Sequence, residues 1–583
     1  MRGFTKALLA AGFFATPLIQ AQPLGTLRDV PVPAPAGSEF YVRNQEALVA
    51  LGKALFWDMQ ASSDGRTACA TCHFHAGADH RLHNQLVDPN HAFPVNTRLD
   101  YGSFPLRKLA DPGNRNSDVV WDTEMRVGSA GLFRRLFGAV VPGAAPEQGS
   151  ESLDKPEFSV GGVQVRRVTV RNAPTVINAV FHVRNFWDGR AERIFNASDP
   201  FGGNTASPRP VLEAVDGQLV RHDVRLDQSS LASQAMGPIL DPLEMSYEGR
   251  GWVHLGRKVL SLAPLAYQKV AADDSVLGPM AKAEGRGLRD DVTYRGMIEA
   301  AFQPRFWQSA QTVSATGEAN GPYSQAEYNF PLFWGLAIQA YETTLVSAET
   351  PFDRFMEGDS GALTAEEQTG MRLFQQNGRC TQCHGGPEFT AASFTALNRG
   401  GRRGGNAGRA FQRTGVRATV EDTGRGNGAF KSSSLRNVEL TGPYFHNGGQ
   451  ATLEQVVAFY SRGGDFTPTS LRAFNANATQ QAALAAFLRA LTDDRVRFER
   501  APFDHPELCV PSGHPEAAPG VLARAGSAEF PAAASERLLA VPAVGAGGNG
   551  VPLQTFRELL TGEGSDGSRA HAMQAACTAP LTR

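Results

Sequence analysis

The stretch "CATCH", Cys69–His73, is spelled again far along the chain as "CTQCH", residues 380–384. In each copy two thiols lie one helical turn apart and a histidine follows directly. This spacing lets both sulfurs add to the vinyl groups of one porphyrin while the adjacent imidazole reaches the iron from the same side, which is how c-type haem is attached. A redox Cys-x-x-Cys or half of a zinc site uses the same cysteine pair. Two copies, each followed by histidine, rarely arise by chance in an exported chain. The spacing therefore predicts two covalent haems, with Cys69, Cys72, Cys380 and Cys383 as thioether residues and His73 and His384 as proximal ligands.

Export is read from the N-terminus, "MRGFTKALLAAGFFATPLIQAQ". Arg2 and Lys6 precede a short apolar run over residues 7–19, and a cleavage point follows Ala21, the pattern of a secretory signal. Neither this run nor a later one reaches the roughly 20 apolar residues of a spanning helix, so a periplasmic protein without a membrane anchor is expected. With 583 residues, 42% hydrophobic and 20% charged, the chain is long enough for two or more cores. Lys plus Arg number 56 against 58 for Asp plus Glu, a net charge of -2, so no electrostatic case for nucleic acid arises. Cys509 and Cys577 remain, either as a disulfide or as two buried free thiols.

The organisation follows the haem peptides. "NQEALVALGKALFWD" places Leu48, Leu51 and Leu55 on one helical face, and a polar loop then leads to Cys69. "LTAEEQTGMRLFQQNGRCTQCH" has Thr364 as N-cap, Glu367 three residues later and Gly378 closing the helix. The expected fold is mainly α: two cytochrome-c-like helical domains, each with a covalent c-type haem, plus long loops. Its divisions are a signal over residues 1–21, an N-terminal haem domain with insertions over 22–345, a C-terminal cytochrome c domain over 346–510 and a packed tail over 511–583. The Gly/Arg-rich stretch 398–415 reads as a surface loop whose arginines are solvated or dock an anion or partner. His75, His80, His83 and His91 read as surface or loop histidines, with a stray metal as the lesser alternative.

Five segments in order carry a resemblance: "LGKALFWDMQASSDGRTACATCH" (51–73), "RNAPTVINAVFHVRNFWDGRAERI" (171–194), "SQAMGPILDPLEMS" (233–246), "SAETPFDRF" (347–355) and "FKSSSLRNVELTGPYFHNGGQATLEQVVAFY" (430–460). Together they resemble the bacterial di-haem cytochrome c peroxidase superfamily, which includes the enzyme that matures tryptophan tryptophylquinone and a longer branch with the rubber-cleaving oxygenase. The residues intervening between 74 and 170, a second insertion before residue 233 and the tail resemble the longer branch.

The resemblance implies roles residue by residue. The haem of His73 is the reactive one, and Gln234 and Glu244, with Pro238 between them, match its distal amide and acid. A carboxylate there can move a proton between peroxide oxygens while the amide orients the ligand, and burial raises the carboxyl pKa; the alternative is that Glu244 only caps a loop. Trp187 matches the tryptophan that relays electrons between the haems, although a lone tryptophan is usually core. Asn172, Thr441 and Pro443 match the oxygen donors of an interdomain Ca²⁺; ordinary turn hydrogen bonds are the alternative. For the sixth ligand of the second haem two candidates stand: Tyr460, on a helix capped by Thr452 with Gln455 closing the capping box, and His505, an imidazole in "APFDHPEL". His446 is expected to pack or hydrogen-bond beside that haem.

Three functions follow as expectations. The first is a periplasmic peroxidase that reduces hydrogen peroxide with electrons from a small exported donor such as cytochrome c or a cupredoxin. The second is an oxygenase or protein-modifying oxidase using peroxide or dioxygen. The third, a multihaem electron carrier, has no need of Gln234 and Glu244.

Overall fold

The computed structural model describes residues 22–86, 98–152, 154, 156–160, 163–315, 321–398, 407–419, 422, 424–514 and 536–562. The signal segment, His91 and Cys577 lie outside them. Each haem peptide follows a helix that a glycine lets sit close to its partner. Helix Gln45–Trp57 begins at Asn44, whose side chain accepts from the Ala47 N–H, and it buries Leu48, Leu51 and Leu55. It packs on helix Phe330–Thr344, where a Cβ on Gly52 would lie 1.8 Å from the Ala337 carbonyl oxygen. In the second half, helix Ala365–Gln375 carries the Thr364/Glu367 capping box and packs on helix Ala478–Arg489. There a Cβ on Gly370 would lie 1.9 Å from the Ala483 oxygen. Neither backbone can yield without parting the helices, so both positions exclude every other residue.

Two apolar cores result. One gathers Leu51, Leu55, Phe56, Phe330, Phe333 and Trp334, with Cys69 against its edge. The other gathers Phe352, Phe374, Phe389, Leu453, Leu484 and Phe487, with Cys380 at its edge. Val496, Phe503, Leu508 and Leu553, late in the sequence, return to the first core, whereas Leu24 joins the second. Lys53, fully buried, closes this return by pairing with Asp274 at 2.8 Å and Asp504 at 3.0 Å. Removing Lys53 would leave two buried carboxylates without their counter-charge, at a cost of about 3–5 kcal/mol.

The expectation of helices plus long loops needs correction. Among the described residues there are eight two-stranded antiparallel sheets, several of them in the 74–170 insertion. Strand Arg135–Ala139 pairs with Gln148–Glu151 across "VVPGAAPE", a Pro/Gly turn that a helical reading passes over. Part of the Gly/Arg-rich stretch is likewise structured: Phe411–Gln412 pairs with Phe430–Lys431, while residues 399–406 lie outside the described set.

The histidine cluster is not on the surface. His75, His80 and His83 are buried, and the rings of His75 and His80 stack at 3.7 Å. His75 Nε2 bonds the Gln554 carbonyl at 2.8 Å and His80 Nδ1 the Gly442 carbonyl at 3.1 Å. Segments remote in sequence cover them, including the pair Leu508–Pro511 with Leu538–Val541. Desolvation brings the pKa of His80 and of His83 down to about 4, so both are neutral near pH 7. Cys509 is disulfide-bonded. Among the described residues no helix is long and apolar enough to cross a membrane.

Candidate functional site: two haem peptides and the chain between them

Cys69–His73 forms a short helix that projects both thiols and the imidazole to one side. The His73 Nδ1–H donates to the Gly77 carbonyl at 2.8 Å, which fixes the tautomer and leaves Nε2 as the ligating atom. Desolvation lowers the His73 pKa, favouring the neutral form a metal needs. Cys69 and Cys72 are unbridged, and desolvation pushes both thiols up, Cys72 to about 12. Protein surrounds these side chains, yet each keeps some accessible surface, as the walls of an internal space do. Two free thiols and an oriented imidazole facing one space fit a covalent haem.

Gln234 ends helix Ser230–Ala235, and Pro238 opens the turn that leads to Glu244. The Glu244 charge reaches both Cys69 and Cys72 and raises their pKa, so acid and haem peptide share the space. The Glu244 carboxyl makes no hydrogen bond among the described residues; desolvation first, then the charge of Asp241, pushes its pKa up to about 8. The Gln234 Oε1 is buried and without a partner. Both groups keep their hydrogen-bonding capacity for something the chain does not supply.

The 74–170 insertion supports this turn from behind. A Cβ on Gly131 would meet the Leu243 carbonyl at 1.8 Å and the Glu244 Cα at 2.9 Å, and Arg167 Nη1 donates to the Pro242 carbonyl at 2.9 Å. Sequence reading also missed Glu342. It is 5% exposed on helix Phe330–Thr344, its pKa is pushed to about 8 by desolvation, and its charge is felt at Cys69. The available signal was a single acid in the apolar run "FPLFWGLAIQAYETT".

At the second haem peptide, the His384 Nδ1–H lies 3.1 Å from the Ser433 carbonyl and 3.3 Å from that of Phe389, again leaving Nε2 to ligate. Cys380 and Cys383 are unbridged. Helix Leu453–Ser461 is capped by Thr452, whose Oγ1 accepts from the Gln455 N–H at 3.2 Å. Gln455 does not complete a capping box: its side chain accepts from the Ala451 N–H instead. Tyr460, on this helix, is raised in pKa by desolvation and then by the charges of Cys383 and Cys380, which places it at the same site. Its hydroxyl makes no hydrogen bond among the described residues. His505 lies elsewhere. Its ring stacks on Trp57 at 4.6 Å, its Nδ1 bonds the Pro506 carbonyl at 2.9 Å, and it borders a small cavity together with His73. Chain return to the first core carries it away from the second haem peptide, so the two candidate ligands do not converge.

Trp187 joins the halves. Its Nε1–H donates to the Asn172 carbonyl at 2.8 Å, and its ring lies 6.3 Å from that of His446, which stacks on Phe430 at 3.5 Å. Asn172 is buried, its N–H donates to the His446 carbonyl at 2.8 Å, and its side-chain amide has no partner among the described residues. Thr441 and Pro443 belong to the loop that carries His446. The unpartnered atom is the Nδ2 donor, and with no hydrogen bond fixing which way the amide faces, its oxygen can turn toward a cation beside that loop.

The sequence pattern of the di-haem cytochrome c peroxidase family matches residues 46–133 and 145–361. Cytochrome c551 peroxidase of Nitrosomonas europaea is 27% identical over 335 residues, covering 56% of this chain and 67% of that protein. Methylamine utilization protein MauG of Methylorubrum extorquens is 35% identical over 159 residues, 27% of this chain and 42% of MauG. Cytochrome c peroxidase Ccp of Escherichia coli is 26% identical over 52% of this chain and 47% of its own length. A crystal structure of a MauG-like protein associated with microbial copper homeostasis aligns with a TM-score of 0.41 at 18% identity, over 85% of this chain and 98% of that one. The family match spans more than half of the sequence and includes the first haem peptide, Trp187, Gln234 and Glu244; the chain belongs to the di-haem cytochrome c peroxidase family of oxidoreductases.

Proposed function

We propose that this chain is a periplasmic peroxidase that reduces hydrogen peroxide with electrons from a small exported donor, a cytochrome c or a cupredoxin. The observation that carries this reading is the pair Gln234 and Glu244: the amide oxygen is buried without a partner, and the half-buried acid, with no hydrogen bond among the described residues, shares the space of Cys69 and Cys72. Haem held by Cys69, Cys72 and His73 supplies, when bound, the redox-active iron that peroxide meets. The Gln234 oxygen accepts a hydrogen bond from a peroxide O–H and orients the molecule. Glu244 in its ionised form takes a proton from one peroxide oxygen and returns it to the oxygen that leaves as water. Two electrons and two further protons complete the conversion of one peroxide to two waters, with Trp187 on the path from the His384 side. A Ca²⁺ held by the Asn172 side-chain oxygen and the carbonyls of Thr441 and Pro443 stiffens the join between a 22–345 and a 346–510 haem domain.

Tyr460 favours a second reading. A phenolate is a hard anionic ligand that stabilises ferric iron, which suits oxidation of an organic or protein substrate by peroxide or dioxygen. Rapid mixing of the purified two-haem protein with peroxide, with and without reduced cytochrome c or cupredoxin, separates these readings. Oxidation of two donor molecules per peroxide supports the peroxidase. Rapid peroxide reaction that leaves the donors reduced favours the second reading. Inertness toward peroxide leaves a dioxygen-using oxidase or an electron carrier.

A further inference from the structure

We propose that the cavity between residues 74–83 and the strand pair Leu508–Pro511 with Leu538–Val541 is a binding site for a small organic anion with an apolar body, of the aryl carboxylate class. The cavity holds about 240 Å³. A cavity of roughly 150 Å³ takes a benzene ring, so this one takes a ring with a carboxylate attached. Its apolar wall is Phe74, Leu82, Leu539, Leu553 and Leu559.

The polar wall is positive. His83 is 7% exposed and its Nε2 has no partner. Ser512 Oγ lies 3.5 Å from His83 Nδ1; with the hydroxyl donating there, the Nε2–H is a free donor. Arg81, Arg98 and Arg537 all stand close enough to oppose a charge on His83. Arg81 is already held by Asp79 and by the Pro511 carbonyl. Arg98 and Arg537 have no ion-pair partner among the described residues, and both line the cavity. The acid on the wall, Glu499, faces His505 at 3.4 Å. Two unpaired guanidiniums and one buried N–H donor around an apolar chamber match a carboxylate on a ring, because the fork of an arginine binds a carboxylate in two places. Gly513, at φ +77°, lets the tail backbone close over the site, since a Cβ there would lie 2.6 Å from the His83 ring.

The site adjoins the first haem peptide: Arg81 Nη2 is 3.4 Å from Cys72 Sγ, and Phe74 follows His73 directly. It rests on none of the groups assigned to peroxide.

Isothermal titration of the two-haem protein with benzoate and with benzamide, its neutral counterpart, tests the proposal. Benzoate is expected to bind at least about tenfold more tightly than benzamide, a difference of ~1.4 kcal/mol. Arg98→Gln, at an exposed position, should weaken benzoate severalfold, and Arg98→Gln with Arg537→Gln should abolish the preference for the anion while haem content stays unchanged. Leu539→Trp, which fills the chamber, should remove binding of both. Equal affinity for benzoate and benzamide, no measurable benzoate binding, or an Arg98→Gln protein that binds like the parent overturns the proposal.

Discussion

The indole N–H of Trp187 donates to the main-chain carbonyl of Asn172 at 2.8 Å, and the Asn172 N–H passes the linkage on to the His446 carbonyl at 2.8 Å. The carbonyl of Trp187 accepts from the Lys431 N–H at 2.7 Å. One tryptophan is thus tied to the segment of each motif that faces the other half.

Replacing that indole removes both the hydrogen bond and the conjugated path. Trp187→Phe should keep two covalent haems, lose about 1 kcal/mol of stability and slow donor-dependent peroxide turnover by about tenfold or more. Steady-state kinetics and thermal unfolding of the same preparation check it; unaltered turnover would show that electrons take another route.

Glu244 yields a pH prediction. With its pKa at about 8, the carboxyl is mostly protonated at pH 7 and cannot accept a proton. Raising the pH through about 8 creates the base, so kcat/KM for peroxide should rise across that range and then level off. In Glu244→Gln the rise should vanish and turnover should fall by roughly 10²–10⁴-fold with both haems retained. A parent-like profile in the variant sinks the assignment.

The second iron is tested by two substitutions. Tyr460→Phe should alter the low-spin signals of the C-terminal haem and raise its potential, because an anionic oxygen that favoured ferric iron is gone. His505→Ala, which empties the stack on Trp57, should leave those signals alone and instead destabilise the first core. Electron paramagnetic resonance and a redox titration of both variants decide; exchanged phenotypes would restore His505 as the ligand.

Asp353, in "SAETPFDRF", accepts two bonds from Arg436 at 2.8 Å each and one from the Leu27 N–H at 3.1 Å. Desolvation opposes its charge, but hydrogen bonds and the Arg436 charge prevail and lower its pKa from 3.8 to about 2. A depressed folded-state pKa stabilises fully above the unfolded value and is lost as pH falls through the folded one. About 2 kcal/mol should therefore disappear between roughly pH 5 and pH 2. Asp353→Asn should cost about 3–5 kcal/mol at pH 7, since Arg436 is left buried without its counter-charge. Denaturant titrations of the parent and variant at pH 7, and of the parent again at pH 2, measure both.

The helix before each haem peptide was legible because its evidence is local. Leu48, Leu51 and Leu55 repeat at helical spacing, Thr364 and Glu367 spell a cap, and Cys-x-x-Cys-His is complete within five residues. The carboxyl and amide of Glu244 and Gln234 were legible only through their motif; what leaves them unpartnered is the enclosure around them. The strand pairs of the insertion are local hairpins whose Pro/Gly turns a helical reading passes over, but the buried histidines were misread for a different reason. Their burial comes from residues hundreds of positions away: Gln554 meets His75, and the strand at Leu508–Pro511 closes over the 74–83 segment. Tyr460 and His505 looked alike as ligands, because a sequence records which atoms can coordinate but not where a returning chain sets them down. The sequence by itself determined the two Cys-x-x-Cys-His segments, as expected haem attachment sites, and the helices that precede them. The tertiary structure decided which side chains face each attachment site, since that depends on contacts whose partners no local pattern encodes.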